Sequence, residues 1–220
     1  MNVTAIIPMF NEQNTIKNVL GVLNDSKSIS SIIVVDDAST DNSLKIVKEF
    51  NSNKLRVISL KRNVGKSDAV KIATNNLKTD VLFFCDADLR YLNQEHIEQI
   101  LEPFKINKNV MSVGMRDYGF IFNALSKHVF PLITGERALP YSIFKEASKN
   151  PQFKDYNMEV ILNKYCKINK IPIHKSIFKG LRQTAKYNKW RNGYSLLARQ
   201  IIQVMIAIIS LNINWSRYWK

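Results

Sequence analysis

Two cysteines in 220 residues, Cys85 and Cys166, lie far apart and lack the spacing of a metal-binding cluster. A disulfide framework and a cysteine-rich zinc site are therefore excluded, and both read as packing residues in a reducing compartment. The opening MNVTAIIPMF has no basic segment, and its apolar run is too short for a secretory leader, so cytoplasmic residence is the expectation. The apolar stretch 204–209 is too short to span a bilayer. There is no internal repeat and no low-complexity linker. Acidic residues are scarce in one half only. Residues 111–220 hold 5 Asp and Glu against 18 Lys and Arg, whereas residues 1–110 hold 13 against 14. The net charge of +14 thus sits almost wholly in the second half. That half is expected to face an anion: phosphate groups, an anionic membrane surface or nucleic acid. The aromatic and basic pattern of an RNA-recognition sheet is missing, so nucleic acid is not expected.

The first half alternates strand and helix signals. Apolar runs at 3–8, 31–35, 55–60, 81–85 and 110–114 read as buried strands. Between them, 14–23, 41–50, 66–77 and 93–104 carry apolar residues at helical spacing. Strands alternating with helices predict an α/β fold, a Rossmann-like, mostly parallel sheet flanked by helices on both faces. In such sheets ligands bind beyond the carboxyl ends of the strands.

Two carboxylates, Asp86 and Asp88, follow the apolar run 81–84 in the stretch FFCDADLRY. Residues two apart at the end of a strand point the same way. Like charges that close repel unless a cation lies between them, and Mg²⁺ or Mn²⁺ prefers oxygen ligands. A solvated acidic turn is the alternative. Asp36 and Asp37 follow the second strand, so carboxylates recur on one edge of the sheet.

Four segments mark that edge: Pro8-Met9-Phe10-Asn11-Glu12, Asp36-Asp37-Ala38-Ser39-Thr40-Asp41, Asn63-Val64-Gly65-Lys66 and Asp86-Ala87-Asp88. Taken in order, they resemble the nucleotide-binding half of family 2 glycosyltransferases with the GT-A fold, over residues 3–115. The resemblance implies a nucleotide-sugar donor, UDP- or GDP-linked, and Mg²⁺ or Mn²⁺ as cofactor. It implies that Asp88 holds the metal, with Asp86 supporting metal or ribose. It assigns Asp36 and Asp37 to base and ribose, with Pro8, Phe10, Asn11, Glu12, Gly65, Lys66 and Ala87 lining the donor. Arg116 resembles a family arginine that touches the diphosphate, and Arg137, in TGERALP, is assigned the same task. Asp68 departs from the small residue usual in the Gly-Lys loop.

A sugar hydroxyl as acceptor needs a base, and Glu136, Asp155 and Glu159 are the candidates in the basic half. Asp155 and Glu159 stand four apart and would share one helix face. A phosphate acceptor needs no strong base, and a basic half with few carboxylates suits it better. His174 is read either as a third metal ligand or, more simply, as a structural histidine. Residues 186–220 form a segment of their own, with Ser195, Arg199, Gln203, Ser210 and Asn214 near helical spacing. Trp190, Trp215 and Trp219 flank it among Lys186, Lys189, Arg191, Arg217 and Lys220. Such an amphipathic helix belongs at a membrane interface, with a core helix or a homo-oligomer interface as alternatives.

The expectation is one domain over 1–185, with a donor half (1–115) and an acceptor half (116–185), followed by the 186–220 helix. The protein would resemble the dolichyl- and polyprenyl-phosphate sugar synthases, peripheral on the inner face of the cell membrane. Transfer to a soluble acceptor such as phosphoglycerate or to a glycan hydroxyl is the alternative within the class. A non-catalytic basic binder of nucleic acid or anionic lipid is the alternative outside it.

Overall fold

The computed structural model describes residues 1–116, 134–154 and 157–183. The first part runs β1 (Val3–Met9), α1 (Ile16–Asp25), β2 (Ser31–Asp36), α2 (Ser43–Glu49), β3 (Leu55–Ser59), α3 (Lys66–Thr74) and β4 (Val81–Phe84). There follow β5 (Leu89–Arg90), α4 (Gln94–Leu101), α5 (Pro103–Ile106) and β6 (Met111–Arg116). After the break come β7 (Arg137–Pro140), α6 (Tyr141–Ala147), α7 (Met158–Ile168), β8 (Ile173–Phe178) and β9 (Arg182–Gln183).

One seven-stranded sheet has the order β3-β2-β1-β4-β7-β6-β8. The pairs β1–β2, β1–β4, β2–β3 and β6–β8 are parallel, while β7 runs antiparallel to both neighbours. The sheet is mostly parallel, as the strand–helix alternation predicts, and its strands come from both halves of the chain. Alternation along each strand feeds two cores. Val3, Ala5 and Ile7 of β1 face one layer with Leu20 of α1 and Ile97 of α4. Ile6 faces the other layer with Val70 of α3, Phe144 of α6 and Ile161 of α7. Strands buried on both faces explain why their sequences are continuously apolar.

The helix expected over 93–104 is two helices, because Pro103 has no N–H to donate to the carbonyl of residue 99. The freed Gln99 carbonyl accepts instead from Ser176 Oγ at 3.2 Å. The helix expected from 41 begins at Ser43, since the Asp41 carboxylate accepts the Ser43 N–H at 2.9 Å. The chain leaves β1 for β2 and β3, then returns to β4 on the other side of β1. The switch point of the sheet is thus between the carboxyl ends of β1 and β4. Among the described residues, no helix is long and apolar enough to cross a membrane. The expected 186–220 helix lies outside the described residues.

Candidate active site

The loops after β1 and β2 are knitted to each other. Asn11 N–H donates to Ser39 Oγ at 3.0 Å, Thr40 N–H to Asn11 Oδ1 at 2.8 Å, and Glu12 N–H to Ser43 Oγ at 2.6 Å. Ser39 N–H closes a turn on Asp36 Oδ1 at 3.3 Å. Asn11 and Ala38 adopt left-handed backbone, with φ of 56° and 63°. Asparagine tolerates that conformation, whereas alanine does so only at a cost of about 1 kcal/mol or more. Strain held by surrounding contacts is typical of ligand-binding loops. Pro8 is within β1, opposite Val35, and Phe10, Asn11 and Glu12 follow it, partly buried at the carboxyl end.

The loop before α3 hangs on Asp37. Its carboxylate accepts Val64 N–H at 2.7 Å through one oxygen and Gly65 N–H at 2.9 Å through the other. Gly65 has φ +86°, which a side chain would strain, and it turns the chain into α3. Asp37, assigned to the nucleotide by resemblance, therefore also shapes the loop that delivers Lys66. Asp36 and Asp37 are both buried.

Beyond β4, the two aspartates converge. Gln183 Nε2, on β9, lies 2.6 Å from Asp88 Oδ1 and 3.5 Å from Asp86 Oδ2. Strand β9 reaches this point by pairing antiparallel with β5, Leu89 opposite Gln183. On the other side of Asp86, Lys66 Nζ is 2.9 Å from Asp86 Oδ1 and 2.9 Å from Glu159 Oε1. Their side chains are 21%, 17% and 7% exposed, so this bridge is only partly screened by water. Burial by itself would lower the pKa of Lys66, but Asp86 and Glu159 outweigh it and hold the ammonium well above lysine's ordinary value. A raised native value means that the stability from this pairing is full below the ordinary value of 10.5 and fades only as pH climbs through the native one. Gly135 backs Asp86 directly: a Cβ there would stand 2.6 Å from Asp86 Oδ1.

Several expected residues have other places. Arg137 is wholly buried in β7. Its guanidinium donates to Thr134 O at 2.6 Å, Asn163 Oδ1 at 3.3 Å and Glu159 O at 3.4 Å, so it braces the backbone that carries Glu159. Burial lowers its pKa, and Glu159 opposes that. Glu136 is also wholly buried, with its carboxylate on Thr134 Oγ1. Helix α7 starts at Met158, and Asp155, expected on the same face, lies outside the described residues. Arg116 closes β6, and its side chain is outside the described residues. His174 is exposed on the edge strand β8, three strands from β4. Of the two candidate bases among the described residues, Glu159 is brought beside Asp86, by way of Lys66. Gln183 escaped the sequence reading altogether.

Burial, with help from Glu136, Asp86 and Asp88, pushes the Cys85 thiol well up, and burial pushes Cys166 up to about 11 against the pull of Arg137. Both thiols are expected to resist iodoacetamide at pH 8 in the native protein and to react in denaturant, counted by mass spectrometry. Rapid native labelling of Cys85 would contradict its position beneath the aspartates.

The chemistry of the donor set fits a hard divalent cation. Among the described residues no three His, Cys, Asp or Glu side chains gather as a metal cage. Two converging carboxylates are present, with an amide that presents oxygen when it turns over. One or two carboxylates completed by water and substrate phosphates is the pattern of Mg²⁺ sites in phosphate chemistry, and Mn²⁺ shares its oxygen preference. Asp86, Asp88 and Gln183 are the residues that would hold it.

Comparison with known proteins places this geometry. The family profile described as Glycosyl transferase family 2 matches residues 4–172. Dolichol-phosphate mannosyltransferase of Pyrococcus furiosus is 24% identical over 260 aligned positions, covering 100% of this chain and 72% of that one. Undecaprenyl-phosphate 4-deoxy-4-formamido-L-arabinose transferase of Edwardsiella ictaluri is 30% identical over 122 residues, covering 52% of this chain and 37% of that one. Other curated relatives also extend well beyond the match, which covers 16% to 63% of their length. Glucosyl-3-phosphoglycerate synthase of Mycobacterium tuberculosis, solved with Mn²⁺, UDP and glucosyl-3-phosphoglycerate, superposes with a TM-score of 0.75. That match is 18% identical and covers 96% of this chain and 79% of the other, a likeness of fold.

Proposed function

The chain belongs to glycosyl transferase family 2, and on that premise we propose that it moves a sugar from a UDP- or GDP-linked donor to a phosphorylated acceptor, a membrane polyprenyl phosphate first among them. The observation that carries this reading is the convergence of Asp86 and Asp88 beside Lys66, just beyond the carboxyl end of β4 at the switch point of the sheet. Asp86 and Asp88, with Gln183, would hold Mg²⁺ or Mn²⁺. When bound, the cation supplies neutralising charge for the departing nucleoside diphosphate. Asp36, Asp37 and the loop from Pro8 to Glu12 line the base and ribose end, and the Gly65 turn delivers Lys66 toward the phosphates. Arg116 is assigned to the same phosphates.

A phosphate acceptor is supported by how the described candidate bases are engaged. Among the described candidates, Glu136 is buried against Thr134, and Glu159 is engaged by the Lys66 ammonium. A phosphate monoester arrives already ionised and needs no proton removed. The names of two relatives, a dolichol-phosphate and an undecaprenyl-phosphate transferase, point the same way. The basic, tryptophan-flanked segment 186–220 would bring the enzyme to an anionic membrane surface.

The test is transfer of labelled sugar from UDP-glucose and GDP-mannose, with Mn²⁺, to a polyprenyl phosphate in detergent and to 3-phosphoglycerate in parallel. Labelled lipid, lost when the lipid carries a free hydroxyl instead of phosphate, is the expected product. Labelled phosphoglycerate alone would replace the lipid acceptor by a soluble one. No transfer, with salt-sensitive binding to anionic vesicles or nucleic acid, would favour a basic binding protein.

A further inference from the structure

We infer that Lys66 is a built-in competitor of the divalent cation for Asp86, so that metal binds weakly alone and tightly only together with a nucleoside diphosphate. The inference rests on the donor and metal reading above and concerns the order in which that site fills.

Lys66 does not arrive at Asp86 by chance of a flexible side chain. Its backbone is the first residue of α3, set by the positive φ of Gly65 and by two hydrogen bonds from the 64–65 backbone to Asp37. Its ammonium then lies 2.9 Å from both Asp86 Oδ1 and Glu159 Oε1. A divalent cation that takes Asp86 meets that ammonium at the same carboxylate, in a setting with little water to screen the repulsion. Glu159 is a single negative charge and satisfies Lys66 only in part. A diphosphate supplies new anionic oxygens, which lets Lys66 leave Asp86 and removes the obstacle to the metal. Gln183, on the opposite side, offers no such resistance, because its amide has an oxygen as well as an N–H₂ to present. Competition of this kind appears as positive coupling between metal and nucleotide, equal in both directions.

The experiment measures Mn²⁺ binding through the signal of free Mn²⁺ in electron paramagnetic resonance. The proteins are wild type, Lys66→Met and Lys66→Gln, each checked for fold by circular dichroism. Each is titrated alone and with saturating UDP or GDP. Both variants are expected to bind Mn²⁺ alone about tenfold more tightly than wild type, the scale of one partly screened charge contact. The tightening caused by nucleotide is expected to shrink correspondingly. Unchanged or weaker Mn²⁺ binding in a folded variant would overturn the inference and leave the donor site standing. Wild type gives a check that needs no variant: equal Mn²⁺ affinity with and without nucleotide also overturns it. If wild type binds neither nucleotide with Mn²⁺, the proposed function itself falls, and the inference with it.

Discussion

Replacing Gly135 by alanine is expected to cut Mn²⁺-dependent nucleotide binding and sugar transfer by about a hundredfold or more while leaving the protein folded. The added Cβ would stand 2.6 Å from Asp86 Oδ1 and 2.7 Å from its Cγ, far inside van der Waals contact. The backbone at 135 has little freedom to retreat, because Gly114 N–H donates to Glu136 O at 2.9 Å and ties the segment to β6. Asp86 is therefore the group that moves, which disturbs its contacts with Lys66 and Gln183. A displacement of about 1 Å in a ligand-positioning group is enough for an effect of this size. The carboxylate is partly exposed, so the clash is relieved at the site's surface and not by unfolding the core. Unaltered binding by Gly135→Ala, measured by calorimetry on folded protein, would show that Asp86 is not where the ligand is held.

Arg137→Met is the second large effect, on stability. The expected loss is about 3–5 kcal/mol, as for other buried charged groups removed from their partners. Arg137 is wholly buried and donates to Thr134 O, Asn163 Oδ1 and Glu159 O. Methionine fills much of the space but donates nothing, so those oxygens remain in the core without these donors. For a chain of this size the melting temperature should fall by about 10 °C. Lysine at the same place is not expected to rescue it, since one ammonium does not reproduce the fork of a guanidinium. A fall of less than about 2 °C would mean that Arg137 does not brace α7 and β7 together.

The parts of this arrangement that were legible are those encoded locally. Strands β1, β2 and β4 are largely apolar runs because both faces of the sheet are covered there, whereas β3, at the end of the sheet order, is only partly buried, and the helices between them announce their apolar faces. Asp86 and Asp88 stood out because one short stretch carries both. What was not legible depends on residues far apart in the chain. Gln183 lies on a two-residue strand without any periodicity, and its partner Asp88 is 95 positions earlier. Lys66 and Glu159 meet across 93 positions, so each reads separately as an ordinary charged residue on a helix. Sequence alone does not distinguish a buried arginine such as Arg137 from a surface one. Strand β7 is four residues long, too short for its antiparallel direction to be read from pattern.

In the proposed function, Asp88 and Asp86 form a metal-dependent nucleotide site. Calorimetric titration of wild type and Asp88→Ala with UDP and with GDP, each with and without Mn²⁺, tests it most directly. One nucleotide is expected to bind wild type only with Mn²⁺, and Asp88→Ala is expected to abolish this binding while remaining folded. Binding of neither nucleotide to wild type under any metal, or undiminished binding to Asp88→Ala, would contradict it.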